Sequence, residues 1–124
     1  WRQMMDLHCT SWCETPGNCR SECHGWSSAP LYELSAMYLG IQPETPGFAS
    51  VIIRPHRNGL RFAKGTVPTP QGPIHVEWTV EKDTLTLDAT LPVGVSATVL
   101  LPDHAPFRTK DHRLHIVSHL KTQK

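Results

Sequence analysis

From Phe48 onward the chain alternates apolar and polar residues with a period of two, the pattern of strands that bury one face. Ile74, Val76, Trp78 and Val80 share one side of a run whose other side carries His75, Glu77 and Thr79. Glu81-Lys82-Asp83 makes a tight turn, and Leu85, Leu87, Ala89 and Leu91 line one side of the next run. Together these two runs predict a hairpin, with Trp78 in the core. Further strands are predicted over Phe48 to Arg54, from Leu60 to Val67 ahead of Pro68 and Pro70, over Ala97 to Leu101, and over Leu114 to Ser118. Six short strands at about ten-residue spacing predict a mainly β chain, folded as an antiparallel β-sandwich.

Upstream the period is different. Met4, Met5 and Leu7 form an apolar patch suited to the last turns of a helix, and His8 to Ser28 is too rich in Pro, Gly and Ser to be one regular element. Ser27 or Ser28 is placed to act as an N-cap, with Pro30 in the first turn, where its missing N–H costs nothing. Leu31, Leu34, Met37 and Tyr38 then fall on one helical face, and Gly40 closes the element. These features predict a helix over Ala29 to Leu39. Gln42 to Gly47, with two prolines, reads as a rigid turn and the boundary with the strands.

Length and charge narrow the function classes. The 124 residues suffice for one domain, or one domain with a remnant of another. A formal net charge of +1 supplies no field to recruit nucleic acid or an anionic membrane, so neither partner is expected. The locally basic stretch from Arg108 is mixed with Asp111 and histidines and reads as a solvated strand and tail. No apolar run approaches the ~18 residues of a membrane span, so a soluble protein is expected. The chain opens at Trp1 without a charged and then apolar leader, which suggests a piece excised from a longer parent.

The densest chemistry lies in the loop. Trp12, Glu14, Arg20, His24 and Trp26 bring two indoles, a carboxylate, a guanidinium and an imidazole into fifteen residues. Carbohydrate sites use this mixture: aromatic faces stack on sugar C–H groups while charged groups handle protons and hydroxyls. If the loop folds back, an indole can desolvate Glu14 and make it a better base. Alternatively Glu14 is an ordinary solvated charge, and Arg20 pairs locally with Glu22. Cys9, Cys13, Cys19 and Cys23 share the loop, with spacing C-x3-C-x5-C-x3-C. Reduced thiols packed as small hydrophobes are the leading reading, ahead of a Zn²⁺ knuckle or two disulfides. The remaining histidines show no metal-ligand spacing, and no metal or cofactor is expected.

Several motifs occur in order along the chain: Thr10-Ser11-Trp12-Cys13-Glu14-Thr15-Pro16, Arg20-Ser21-Glu22-Cys23-His24-Gly25-Trp26, Leu39-Gly40-Ile41-Gln42-Pro43, Ile53-Arg54-Pro55, and Ala63-Lys64-Gly65-Thr66-Val67-Pro68. Over Thr10 to Leu101 they resemble the C-terminal end of the inverting α-L-rhamnosidases, glycoside hydrolases with an (α/α)6-barrel catalytic domain and a C-terminal β-sandwich. The resemblance implies that residues 1–42 are the last helix, loop and helix of a truncated barrel and that 43–124 form the sandwich. It implies that Glu14 is the general base, that His24 lies beside the substrate, and that Arg20, Trp12 and Trp26 shape the pocket. The general acid of that family comes from an earlier barrel segment, so the isolated chain is expected to be inactive. Glu22 stands where the family usually has Asp, a departure that bears on the loop's geometry. The implied partners are a rhamnose-containing glycoside and the remainder of the barrel, in a parent expected to be bacterial and cytoplasmic. The helix face stripped of barrel neighbours is expected to self-associate. The rivals are a non-catalytic β-sandwich module, for carbohydrate binding or interdomain packing, and a small zinc-stabilised module.

Overall fold

A computed structural model describes residues 1–15, 17 and 20–120. It divides into two compact units, Trp1–Glu33 and Leu34 onward. In the first, helix α1 (Arg2–Asp6) is followed by loop, by a 3-10 turn (Gly25–Ser28) and by α2 (Ala29–Glu33). The second opens with a π turn (Leu34–Tyr38) and continues into eight strands. The serines expected to cap α2 do not do so. The Ser27 hydroxyl donates to the Cys13 carbonyl at 2.7 Å and that of Ser28 to the Gly25 carbonyl, so the 3-10 turn leads directly into α2.

The strands are β1 (Ile41–Pro43), β2 (Ser50–Ile53), β3 (Phe62–Val67), β4 (Ile74–Glu81), β5 (Thr84–Thr90), β6 (Ser96–Val99), β7 (Phe107–Thr109) and β8 (Arg113–His119). They form two four-stranded sheets, ordered β1-β2-β6-β7 and β3-β4-β5-β8. The sandwich is as expected, with two additions among the described strands. The three-residue β1 and β7 are edge strands, and Pro43 is tolerated in β1 because an edge needs fewer ladder donors. The first predicted strand is also shorter than Phe48 to Arg54, because Phe48 lies in a 3-10 turn with φ +59°. One pair departs from the antiparallel expectation: β2 and β6 run parallel, Ser50 opposite Ser96 through Ile53 opposite Val99. A parallel pair needs a long crossover, and here the chain between them supplies β3, β4 and β5 of the other sheet.

Period-two alternation builds the core. In β4, Ile74, Val76 and Trp78 are buried while His75, Glu77 and Thr79 are exposed; β5 buries Leu85, Leu87 and Ala89. A two-residue turn at Lys82–Asp83, with Lys82 at φ +52°, pairs Glu81 with Thr84 and fixes the register that sets Trp78 opposite Leu87. Leu114 and Ile116 of β8 extend the buried layer, and Val51, Ile53, Ala97 and Val99 oppose it from the other sheet. The Glu44 carboxylate accepts from the Thr98 hydroxyl at 2.9 Å and meets Arg108 at 3.5 Å. Thr98 first, then Ser50 and Arg108, hold the Glu44 carboxyl below its ordinary value.

The π turn docks on this core through its last carbonyls, which a helix end leaves without internal partners. Ala36 O accepts from Gln42 Nε2 at 3.1 Å, Met37 O from the His56 amide at 2.8 Å, and Tyr38 O from the Trp78 indole at 2.7 Å. Gly40 then turns the chain with φ +78°, its carbonyl accepting from the Arg54 amide. A Cβ there would stand 2.3 Å from the Arg54 carbonyl carbon and the Pro55 nitrogen. Gly94 shares the positive φ, at +91°, but has open space around it. Gly94→Ala should therefore cost about 1–2 kcal/mol for the left-handed backbone alone. Gly40→Ala should cost at least twice that in chemical denaturation; equal losses would contradict the close approach.

Candidate functional site

The loop predicted to carry chemistry folds back on itself. The Glu14 amide donates to Ser21 O at 2.8 Å and the His24 amide to Trp12 O at 2.7 Å, laying Trp12 to Glu14 alongside Ser21 to His24. The Ser11 hydroxyl donates to the Glu22 carbonyl across the same pair of segments. Between Trp12 and Glu14, the Cys13 side chain is fully buried and its carbonyl takes the Ser27 hydroxyl. Ser27 O in turn accepts from the Trp1 indole at 2.8 Å, so α1, the loop and the 3-10 turn are held by one chain of hydrogen bonds.

Arg20 meets Glu14 as a fork. Nη2 lies 2.6 Å from Oε1 and Nε 3.0 Å from Oε2, a bidentate pair that fixes the plane of the carboxylate. The Glu14 side chain is 18% exposed and that of Arg20 82%, so the carboxylate is recessed but reachable from solvent. This corrects one alternative of the sequence reading: Arg20 pairs with Glu14 instead of with Glu22. His24 contacts the edge of Trp26, centroids 5.8 Å apart and planes at 77°. Trp26 is 63% exposed and Trp12 half-buried. Among the five candidate residues two pairs are thus assembled, Glu14 with Arg20 and His24 with Trp26, and Trp12 joins them through its backbone. The depression in this unit, about 310 Å³ beside Gln3, Asp6, Leu7 and Gly17, is lined by none of the five.

Cys9 and Cys23 are free thiols and exposed, whereas Cys13 is buried; Cys19 lies outside the described residues. Among the described residues no group of three or more His, Cys, Asp or Glu is arranged to hold a metal ion. No helix among them is long and apolar enough to cross a membrane.

Concavities also lie among the described residues of the second unit. An apolar groove of about 490 Å³ lies between Leu34 and Tyr38 of the π turn with Leu39 beyond it, on one side, and Leu60 with Ala63 of β3 on the other. A larger one, about 690 Å³, occupies the outer face of the β3-β4-β5-β8 sheet. There Lys64 pairs with Glu77 at 2.8 Å, and His115 with Asp88 at 2.7 Å. Glu77 holds the Lys64 ammonium above its ordinary value by hydrogen bond and charge. The alternation of β4 identifies His75 and Glu77 as outward-facing, but not the two cross-strand rows, two residues apart, that they join.

The family model for the bacterial α-L-rhamnosidase C-terminal domain matches residues 40–114. The chain belongs to that family. An α-L-rhamnosidase from Alteromonas sp. (strain LOR) is 42% identical over 67 residues, which make up 53% of this chain and 7% of that protein. A rhamnosidase structure from Bacillus sp. GL1 is 38% identical with a TM-score of 0.65, covering 71% of this chain and 9% of that one. The α-L-rhamnosidase of Dictyoglumus thermophilum superposes with a TM-score of 0.77 at 14% identity, over 94% of this chain and 17% of that one, a likeness of fold. The chain therefore spans a small fraction of the length of its relatives. The matched residues run from β1 to the start of β8, whereas Glu14 and the four residues grouped with it precede them.

The burial pattern sets a test of the first unit. Brief alkylation of the native chain, followed by peptide mapping, should modify Cys9 and Cys23 and leave Cys13 unmodified until denaturant is added. Equal labelling of Cys13 and Cys9 in the native state would contradict the folded-back loop.

Proposed function

We propose that this chain is the C-terminal portion of a glycoside hydrolase that cleaves terminal α-L-rhamnosyl linkages with inversion. Residues 1–42 are then the last helix, loop and helix of its catalytic barrel, and 43–124 its β-sandwich. The observation that carries the reading is the Glu14–Arg20 fork: a recessed, solvent-reachable carboxylate held in a fixed plane. In this role Glu14 Oε1 or Oε2 takes a proton from the water that attacks the anomeric carbon. Arg20 keeps the carboxylate oriented, while His24, Trp26 and Trp12 contact the sugar. The indole of Trp26 suits stacking on sugar C–H groups.

Inversion requires a second carboxyl group as acid, roughly 6.5–9.5 Å from the base so that water fits between them. By this reading the acid belongs to an earlier part of the barrel, and the 124 residues alone cannot protonate the leaving group. Leu31 and Tyr32 of α2 are each more than half exposed, an apolar surface suited to barrel neighbours and, without them, to self-association. A second reading, an interdomain packing module without catalytic residues, is favoured by the match over residues 40–114 and by the groove at Leu34, Tyr38 and Leu60.

The two readings differ in their kinetics. The 124-residue chain should release no aryl alcohol from an aryl α-L-rhamnoside. In the full-length parent, Glu14→Gln should lower kcat by about 10²–10⁴-fold with little change in KM. Unchanged kcat in that variant would leave the packing role and refute the catalytic one.

A further inference from the structure

The outer face of the β3-β4-β5-β8 sheet combines features that a merely solvated face does not need. Strand register sets Lys64, Glu77, Asp88 and His115 side by side across the four strands. The two carboxylates are therefore direct neighbours at the centre of the row. Like charges directly opposite one another destabilise a sheet, and here each carboxylate is met from its outer side, Glu77 by the Lys64 ammonium and Asp88 by His115 Nδ1. An ionised carboxylate offers about four acceptor positions, and these contacts leave most of them open.

Two residues along the strands, roughly 6.5–7 Å away, runs a second row: Thr66, His75, Thr90 and Arg113. His75 Nδ1 is bonded to the Thr66 hydroxyl at 2.7 Å. The Arg113 guanidinium has no hydrogen-bond or ion-pair partner among the described residues, so its donors are all available. One row thus offers unused acceptors and the other an unused, permanently charged donor fork. The space over both, about 690 Å³, falls within the range of small-molecule sites. On the same face, beside Lys64, the ring of Phe62 is 67% exposed.

We propose that this face binds an acidic oligosaccharide, with a uronate carboxylate on Arg113 and sugar hydroxyls donating to Glu77 and Asp88. The chemistry selects that class. A carboxylate matches the guanidinium fork bidentately, and Lys64 would serve it only as a point charge. Vicinal hydroxyls match the paired carboxylates, and Phe62 supplies an apolar surface for a neighbouring ring. The site uses no residue of the Trp1–Glu33 unit and stands independently of any role for Glu14.

The test is an amide chemical-shift titration of the 124-residue chain with trigalacturonic acid and, in parallel, with a neutral trisaccharide. Shifts should be confined to β3, β4, β5 and β8 for the acidic ligand, and the neutral one should bind about tenfold more weakly. Arg113→Gln should remove that preference, and Glu77→Gln should weaken both ligands. Because both positions are exposed, the spectra of the free variants should overlay the parent spectrum outside the substituted strands. An absence of shifts on these strands at millimolar ligand would overturn the proposal. So would equal affinity for the two ligands, or an Arg113→Gln variant that keeps the preference.

Discussion

The end of the π turn is the constraint on which the second unit depends. Three successive carbonyls, Ala36, Met37 and Tyr38, have lost their helical partners, and each is answered from a different place: the Gln42 side chain, the His56 amide and the Trp78 indole. The last of these comes from the centre of the core. Trp78 is fully buried, and an indole N–H left without an acceptor at that depth would cost about 1–3 kcal/mol. The turn and the sheet therefore satisfy one another. Leu39 completes the junction by filling the space beside Gly65, where a Cβ would stand 2.7 Å from Leu39 Cδ1. With the junction fixed, Gly40 and Ile41 lead into β1 and the first sheet is in register.

The first unit is built on a different principle. It has few buried apolar side chains, among them Met4 and Cys13, and relies on a relay of polar contacts from Trp1 through Ser27 to Cys13. This web holds the loop folded back, and the folded loop recesses Glu14 under Arg20. A carboxylate that is held by a cation and still open to water is suited to act on a ligand from one side. The outer face of the second sheet solves a related problem with a cross-strand row, Glu77 steadied by Lys64 and Asp88 by a hydrogen-bonding contact with His115, each open elsewhere.

Much of this was legible in the chain. The β4–β5 hairpin follows from alternation and a tight turn, and so does the burial of Trp78. The row joining Glu77 to Asp88 was within reach too. Once Glu81 pairs with Thr84, each step back along β4 meets a step forward along β5. Less accessible were the features that depend on distant partners. The parallel pairing of β2 with β6 joins segments separated by the other sheet, and β1 and β7 are too short to show a period. The π form of the last helical turn is sustained by partners as far away as Trp78. Ser27 has the composition of a cap, but a carbonyl in the folded loop claims its hydroxyl. Arg20 had a nearer carboxylate in Glu22, and only the folded-back backbone shows that Glu14 is the one it meets. The ordered motifs carried the family, because they sample both the loop and the sandwich.

Hydrogen exchange at the indoles tests the junction most directly. The Trp78 Nε1 proton, buried and donated to Tyr38 O, should exchange only through global unfolding, at a rate that tracks stability as denaturant is raised. The Trp26 indole, largely exposed, should exchange within the dead time. If the Trp78 proton exchanged as fast as that of Trp26 in the native state, the turn would not be anchored to the core and the account would fail.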